Sequence, residues 1–344
     1  MSRSRSTHLQ SRRPSFRLAV GFWLGCVVLA TLAPSRGAQA LDDNAVANQL
    51  GTSILDWTRT YNVPGAALAI MKDGQLVGSY GYGTMDPAQP AHLGSLSKAI
   101  TAVCVSRLVD QGLLSFNQTL GSAIPAAFRR YGEPVDPRFR TITIEQLLTH
   151  RAGLARESHA PRNQDLHGAF RHALAIPLQD HPGGAMSYSN IGYITLGIVA
   201  ETITKQDYER YCGGAALAPM GAAGSIDPVL RYRAPNGGWR VSAVDYAKFI
   251  QVFDPGVGTL GPAAKKWQDS LSGNPTYGLG TFIRWTPRGR IFWHGGRAAP
   301  DAEGERSGAY TMKFPNGWTT VITFAGDPRG SDLRQRLETA LADK

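Results

Sequence analysis

Ser95-Leu96-Ser97-Lys98-Ala99-Ile100-Thr101-Ala102-Val103 is the stretch on which the reading of this 344-residue chain turns. Apolar side chains at Leu96, Ile100, Val103 and Leu108 follow helical spacing, and Gly112 supplies a stop. A helix opening at Ser95 places Lys98 on the same face, one turn away. Its N-terminus favours developing negative charge. A lysine removed from water there has a lowered pKa and can accept the hydroxyl proton, a route to an activated serine nucleophile. Alone, Ser-x-x-Lys is expected about once by chance at this length. A capping serine followed by a solvated lysine explains it equally well.

Two further segments carry chemistry. Tyr188-Ser189-Asn190 follows the turn Pro182-Gly183-Gly184 and precedes Ile191 to Ile203, which is apolar nearly all round and reads as an interior helix. A phenol beside cations is driven towards phenolate and can shuttle protons. An asparagine amide can donate to a substrate carbonyl and accept from lysine. His294-Gly295-Gly296 ends the apolar strand Ile291-Phe292-Trp293, and its glycines let a substrate backbone approach the strand edge. Taken singly, a turn with a buried tyrosine and a strand-ending turn account for both.

Around these segments the chain reads as strands, then helices, then strands. A helical pattern runs from Leu41 to about Asn62 and stops at Pro64-Gly65; Asp73-Gly74 then sits between two apolar runs as a hairpin turn. Thr143-Ile144-Glu145-Gln146 is a capping box, and Ser242-Ala243-Val244-Asp245 resembles another. Tyr277 to Trp285, Arg290 to His294, Gly308 to Phe314 and Thr319 to Phe324 read as strands, and Asp332 to Leu341 as a closing helix. The expectation is an α+β fold: a central antiparallel sheet completed by both chain ends, with a helical subdomain at roughly 100–265 inserted between them.

Composition narrows the function. The formal charge is +10, but six arginines lie before residue 41, where there is no acid. The remainder carries about +4 with no basic block, which argues against a nucleic-acid partner. Those first 40 residues join an arginine-bearing start, the apolar run Leu18 to Ala30 and the cleavage pattern Ala38-Gln39-Ala40. They read as an export signal, leaving a domain at 41–344 in the periplasm or outside the cell. An uncleaved N-terminal membrane anchor is the alternative. Cys104 and Cys212 have neither CxxC nor metal spacing, so two buried free thiols are the favoured reading, while an oxidising compartment allows a disulfide that the sequence does not indicate.

The three motifs, in this order and about 90 and 100 residues apart, resemble the serine β-lactamase/penicillin-binding-protein superfamily. The closer likeness is to its class C β-lactamase branch, which includes D-alanyl carboxypeptidases and esterases. Pro64-Gly65-Ala66, Gly81-Tyr82-Gly83, Leu147-Leu148-Thr149-His150-Arg151-Ala152-Gly153-Leu154 and Tyr277-Gly278-Leu279-Gly280 are similar to further stretches of that branch. The resemblance implies a β-lactamase/transpeptidase-like fold and acyl transfer without metal or cofactor. By the same resemblance Ser95 is the nucleophile, Lys98 its activator and Tyr188 the general base and later acid. Asn190, His294, Gly295 and Gly296 would bind substrate, and the backbone N–H groups of Ser95 and Arg297 would form the oxyanion hole.

Two positions depart from that pattern. Gly295 stands where Thr or Ser helps hold a substrate carboxylate, and His294 would be neutral for much of the time above pH ~6.5. Both favour ester or neutral amide substrates over penicillins; D-alanyl peptides are a further candidate among the amides. If His294 assists Tyr188, activity follows a group titrating near pH ~6–7. The competing readings are a weak β-lactamase and a non-catalytic relative that binds cell-wall fragments. An α/β-hydrolase and a metallohydrolase lack support, since the sequence has no G-x-S-x-G and no H-E-x-x-H.

Overall fold

The computed structural model describes residues 36–157, 160–298, 306–328 and 330–344, with side chains from residue 42 onward. Most of the export-signal stretch therefore lies outside the described residues, and 36–40 form the first turns of α1 (Arg36–Thr60). The Asp73-Gly74 turn, with φ of 47° and 79°, joins β1 (Gly65–Lys72) to β2 (Gln75–Gly83). Positive φ at both positions gives a two-residue turn the twist its flanking strands require.

A largely helical stretch follows. It contains α2 (Ser97–Asp110), α3 (Ile144–Leu148), α4 (Asn190–Thr204) and α5 (Ala243–Ile250). Thr143 caps α3 in a capping box with Gln146, and Ser242 caps α5 by accepting from the Asp245 N–H. The sheet then resumes with β3 (Thr276–Gly278), β4 (Thr281–Thr286), β5 (Gly289–Arg297), β6 (Ser307–Lys313) and β7 (Trp318–Ala325), before α6 (Leu333–Leu341). The seven strands are ordered β2-β1-β7-β6-β5-β4-β3, each antiparallel to its neighbours. This is the α+β architecture expected, with β1 from one chain end pairing β7 from the other.

Strand β1 divides the core. Ala66, Leu68 and Ile70 face the terminal helices, joining Leu50, Ile54, Trp57, Leu337 and Leu341. Ala67, Ala69 and Met71 face the helical layer with Leu96, Ile100 and Val103 of the nucleophile segment. Alternation of period two therefore feeds two cores, and a strand covered on both faces reads as continuously apolar. Each fully buried Leu or Ile contributes about 1.5–3 kcal/mol.

Two expectations need correction. The run Tyr277 to Trp285 is two strands, broken where Leu279 and Gly280 adopt φ of 48° and 79°. The break serves packing: a Cβ on Gly280 would lie 2.3 Å from the Ala99 backbone nitrogen, so this turn presses directly on α2. Cys104 and Cys212 are not free thiols but a disulfide, with Cα atoms 5.1 Å apart. Both are fully buried where α2 packs beside the short helix Tyr208–Cys212, a proximity that a separation of 108 residues conceals. Among the described residues no helix is long and apolar enough to cross a membrane.

Candidate active site

Ser95 lies just before α2, in the 3-10 turn Gly94–Leu96. Two glycines bring that turn against the end of β5. Gly94 has φ 51°, and a Cβ on it would meet the Arg297 backbone at 2.6 Å; a Cβ on Gly296 would sit 2.0 Å from the Leu93 carbonyl oxygen. The main chain of Arg297 thus lies beside the nucleophile turn because neither glycine has a side chain. Hydrogen bonds from Tyr246 Oη to the Leu96 carbonyl (2.9 Å) and from the Trp239 N–H to Ser97 Oγ (3.2 Å) hold the turn from below.

Lys98 is completely buried. Its Nζ donates to Asn190 Oδ1 at 2.7 Å and to the Asn236 carbonyl at 2.8 Å, and stands 3.3 Å from Ser95 Oγ. Burial, and then the Arg233 charge, hold the ammonium well below the usual lysine range. A neutral amine has two hydrogens and one lone pair. Two acceptors take the hydrogens, so the lone pair is left for the serine hydroxyl.

Tyr188 lies on the loop before α4, its ring 4.8 Å from Lys98 Nζ. Ser189 fixes that loop: its Oγ donates to the Ala155 carbonyl at 2.6 Å and caps α4 by accepting from the Gly192 N–H. The Ser189 N–H donates to Nδ1 of buried His150, whose ring packs 4.3 Å from that of Tyr188. Burial pushes the Tyr188 phenol up to about 12, outweighing its hydrogen bond to Ser95 and the nearby Arg156 and Arg233 charges. The expected drift towards phenolate is therefore reversed, because desolvation exceeds the cations' pull. Asn190 uses Oδ1 for Lys98 and one Nδ2 hydrogen for Glu157 Oε1, at 2.6 Å; its second amide hydrogen remains for a substrate.

His294 is buried, and its Nδ1 lies 2.7 Å from the Gly295 carbonyl. A carbonyl only accepts, so Nδ1 carries the proton and Nε2 accepts from Tyr277 Oη at 3.1 Å. Burial, and then the Lys98 charge, push His294 down to about 3. The expectation of a titration near pH ~6–7 is overturned: the ring stays neutral across that range and acts as a wall. Gly295 is exposed, facing Tyr310 across the β5–β6 pair.

Ser95, Tyr188, Asn190, His294, Gly295, Gly296 and Arg297 line one cleft of about 680 Å³, and Lys98 lies directly beneath it. Structure thus gathers all the residues singled out from sequence. It adds four that sequence reasoning missed: Glu157 on Asn190, Asn236 on Lys98, His150 under Tyr188, and Arg233. The Thr149-His150 stretch was visible as a motif but gave no hint of a ring packed under the tyrosine. Among the described residues no group of three or more His, Cys, Asp or Glu side chains is placed to hold a metal ion.

Residues 43–343 match the family model described as Beta-lactamase, so the chain belongs to the beta-lactamase family, within a superfamily of serine hydrolases. Among individual proteins it is similar to Protein flp of Staphylococcus aureus, 28% identical over 185 residues, which are 50% of this chain and 36% of flp. It is also similar to Penicillin-binding protein 4 of Amycolatopsis lactamdurans, 31% identical over 50% of this chain and 48% of that protein. The matched region thus spans between about a third and a half of these relatives' length. The fold is shared with a Beta-lactamase/D-alanine Carboxypeptidase from Yersinia pestis, at TM-score 0.73 and 15% identity, covering 88% of this chain and 99% of that one.

Proposed function

We propose that this protein is an exported serine hydrolase that works through an acyl-enzyme on Ser95, with ester or amide substrates that include D-alanyl peptides. The observation that carries the reading is the coordination of Lys98: two acceptors on its hydrogens and Ser95 Oγ 3.3 Å from the remaining face.

Neutral Lys98 takes the Ser95 proton as Oγ attacks the acyl carbon. The oxyanion forms against the backbone N–H groups of Ser95 and Arg297, already preorganised by the Gly94 and Gly296 contacts. Tyr188, held protonated, gives its proton to the leaving group and regains one from Lys98. Water then cleaves the acyl-enzyme by the reverse relay. This differs from the expectation of Tyr188 as first base, because its phenol is pushed up while Lys98 is pushed down. Asn190 orients the substrate carbonyl through its free amide hydrogen. With His294 neutral and Gly295 lacking a hydroxyl, these two positions offer a penicillin carboxylate neither cation nor donor side chain, which supports esters and neutral amides over β-lactams.

The test is a panel of short-chain nitrophenyl esters, D-alanyl peptides and nitrocefin. Saturable turnover of an ester or peptide, exceeding nitrocefin and lost in Lys98→Met, is expected; no turnover of any acyl substrate by folded protein would count against a hydrolase. Export is tested by N-terminal sequencing of protein recovered from the periplasm, which should begin at Leu41. A start upstream of residue 41 points to the anchored alternative.

A further inference from the structure

Among the described residues, four arginines line the cleft: Arg156, Arg233, Arg297 and Arg334. Three have a carboxylate close by. Arg156 lies 3.8 Å from Glu157, Arg297 3.2 Å from Asp327 and Arg334 3.0 Å from Glu338. Among the described residues, no carboxylate lies within ion-pair distance of Arg233. Its Nε is buried and has no hydrogen-bond partner, although buried polar groups in folded proteins are nearly always paired.

The seat of this arginine is built into the chain. Arg233 ends the turn Pro228–Arg233, and its guanidinium lies over Gly237, where a Cβ would come within 2.9 Å of both Nε and Nη2. Between them lies Asn236, whose carbonyl holds Lys98 at 2.8 Å. The same short segment therefore positions the amine beneath Ser95 and carries an unpaired cation into the cleft. The Arg233 charge is felt at both Lys98 and Tyr188. A planar guanidinium with free N–H groups in a partly desolvated site matches a carboxylate.

We propose that Arg233 is a specificity-determining residue that receives a carboxylate of the acyl substrate, a task for which Gly295, with no side-chain donor, is unsuited. The inference rests on the acyl-enzyme reading of Ser95. It places anion recognition on the 228–238 segment, not at the end of β5. The carboxylate can belong to the acyl part or to the leaving group, and matched substrates distinguish these.

The experiment compares kcat/KM for 4-nitrophenyl hydrogen glutarate against 4-nitrophenyl pentanoate, and for a carboxy-substituted nitrophenyl butyrate against the unsubstituted ester. Any effect of Arg233 on Lys98 acts on both members of a pair and divides out of the ratio. In one arm, Arg233→Gln is expected to lower the anionic-to-neutral ratio about tenfold, the size of one charge-assisted hydrogen bond. Arg233→Lys should keep part of the preference, and Arg334→Gln, whose parent side chain is already paired, should keep the wild-type ratio. A ratio in R233Q equal to wild type in both arms would overturn the proposal.

Binding is read without turnover by the rise in Tm that glutarate gives Ser95→Ala protein, which should vanish in the S95A/R233Q double variant. If no ester is cleaved but this Arg233-dependent rise persists, the hydrolase reading fails while anion recognition stands. Turnover with no charge preference, or a glutarate response that survives loss of Arg233, removes the anion site alone.

Discussion

Replacing Gly296 by alanine puts a methyl carbon 2.0 Å from the Leu93 carbonyl oxygen, about 1.4 Å short of ordinary contact. Neither side yields easily. Strand β5 is paired to β6 at Gly296 itself and to β4 as far as Trp293, and Leu93 is fully buried with its N–H bonded to the Trp239 carbonyl at 3.0 Å. Something must move by about an ångström, and what moves is either the Arg297 main chain or the Ser95 turn. A misplacement of that size in a catalytic array costs about 10²-fold, and loss of one oxyanion donor about 10²–10³-fold. Gly296→Ala should therefore lower kcat by about 10²–10³-fold, with a destabilisation of about 1–3 kcal/mol typical of overpacking. Gly295→Ala is the matched comparison, since its new carbon meets only the Tyr310 ring at 3.3 Å. That variant should be at least about tenfold more active than G296A. Steady-state hydrolysis of a nitrophenyl ester and thermal melts of both variants decide it. G296A with kcat within about threefold of wild type and an unchanged melt would refute the close-approach argument.

Further outcomes follow from the buried groups. The His294 pKa falls from the ordinary value near 6.5 to about 3 on folding, and His150 shifts in the same direction through burial. The His294 contribution to stability is complete above pH ~6.5 and is lost as pH falls towards ~3, and that of His150 is lost in the same direction, because the unfolded chain takes up protons first, at up to about 1.4 kcal/mol per pH unit for each group. Urea midpoints should thus fall between pH ~7 and pH ~5, and a flat profile would contradict the buried, neutral histidines. Lys98 is pushed down, so kcat/KM should rise with pH as it loses its proton, well below the ordinary lysine value near 10.4; His294→Gln should leave the position of this limb unchanged. A limb that moves with His294 would restore that residue as a titrating participant. Reducing the Cys104–Cys212 bridge releases a loop of 108 residues and should cost up to about 4–5 kcal/mol, read as a lower Tm in reductant; an identical Tm would show the bridge is not formed.

What could be read from sequence was whatever is encoded locally. Asp73-Gly74 needs nothing beyond its own backbone preferences to make a hairpin, and Thr143 with Gln146 caps α3 within four residues. Ser95, Lys98, Tyr188, Asn190 and His294 each sit in a short motif on a definable turn or strand end, so they could be singled out before their convergence was visible. Properties created by convergence were not legible. The neutral state of His294 and the raised phenol of Tyr188 come from burial against side chains of other segments, Tyr277 on His294 and His150 on Tyr188, which no motif reports. Arg233 and Glu157 look like ordinary surface charges in sequence. They matter because one has no counter-ion among the described residues of the cleft and the other takes the Asn190 amide. The Leu279-Gly280 break in the expected strand is set by the approach of α2, not by strand preference.

The central claim is that Ser95, activated by buried Lys98, becomes covalently acylated. The most direct measurement is intact-mass analysis, with peptide mapping, of the folded protein treated with a fluorophosphonate. One phosphonyl adduct is expected on the peptide bearing Ser95, absent in Ser95→Ala and formed far more slowly in Lys98→Met. Equal labelling of the wild type and S95A, or an adduct mapped to another residue, would contradict it.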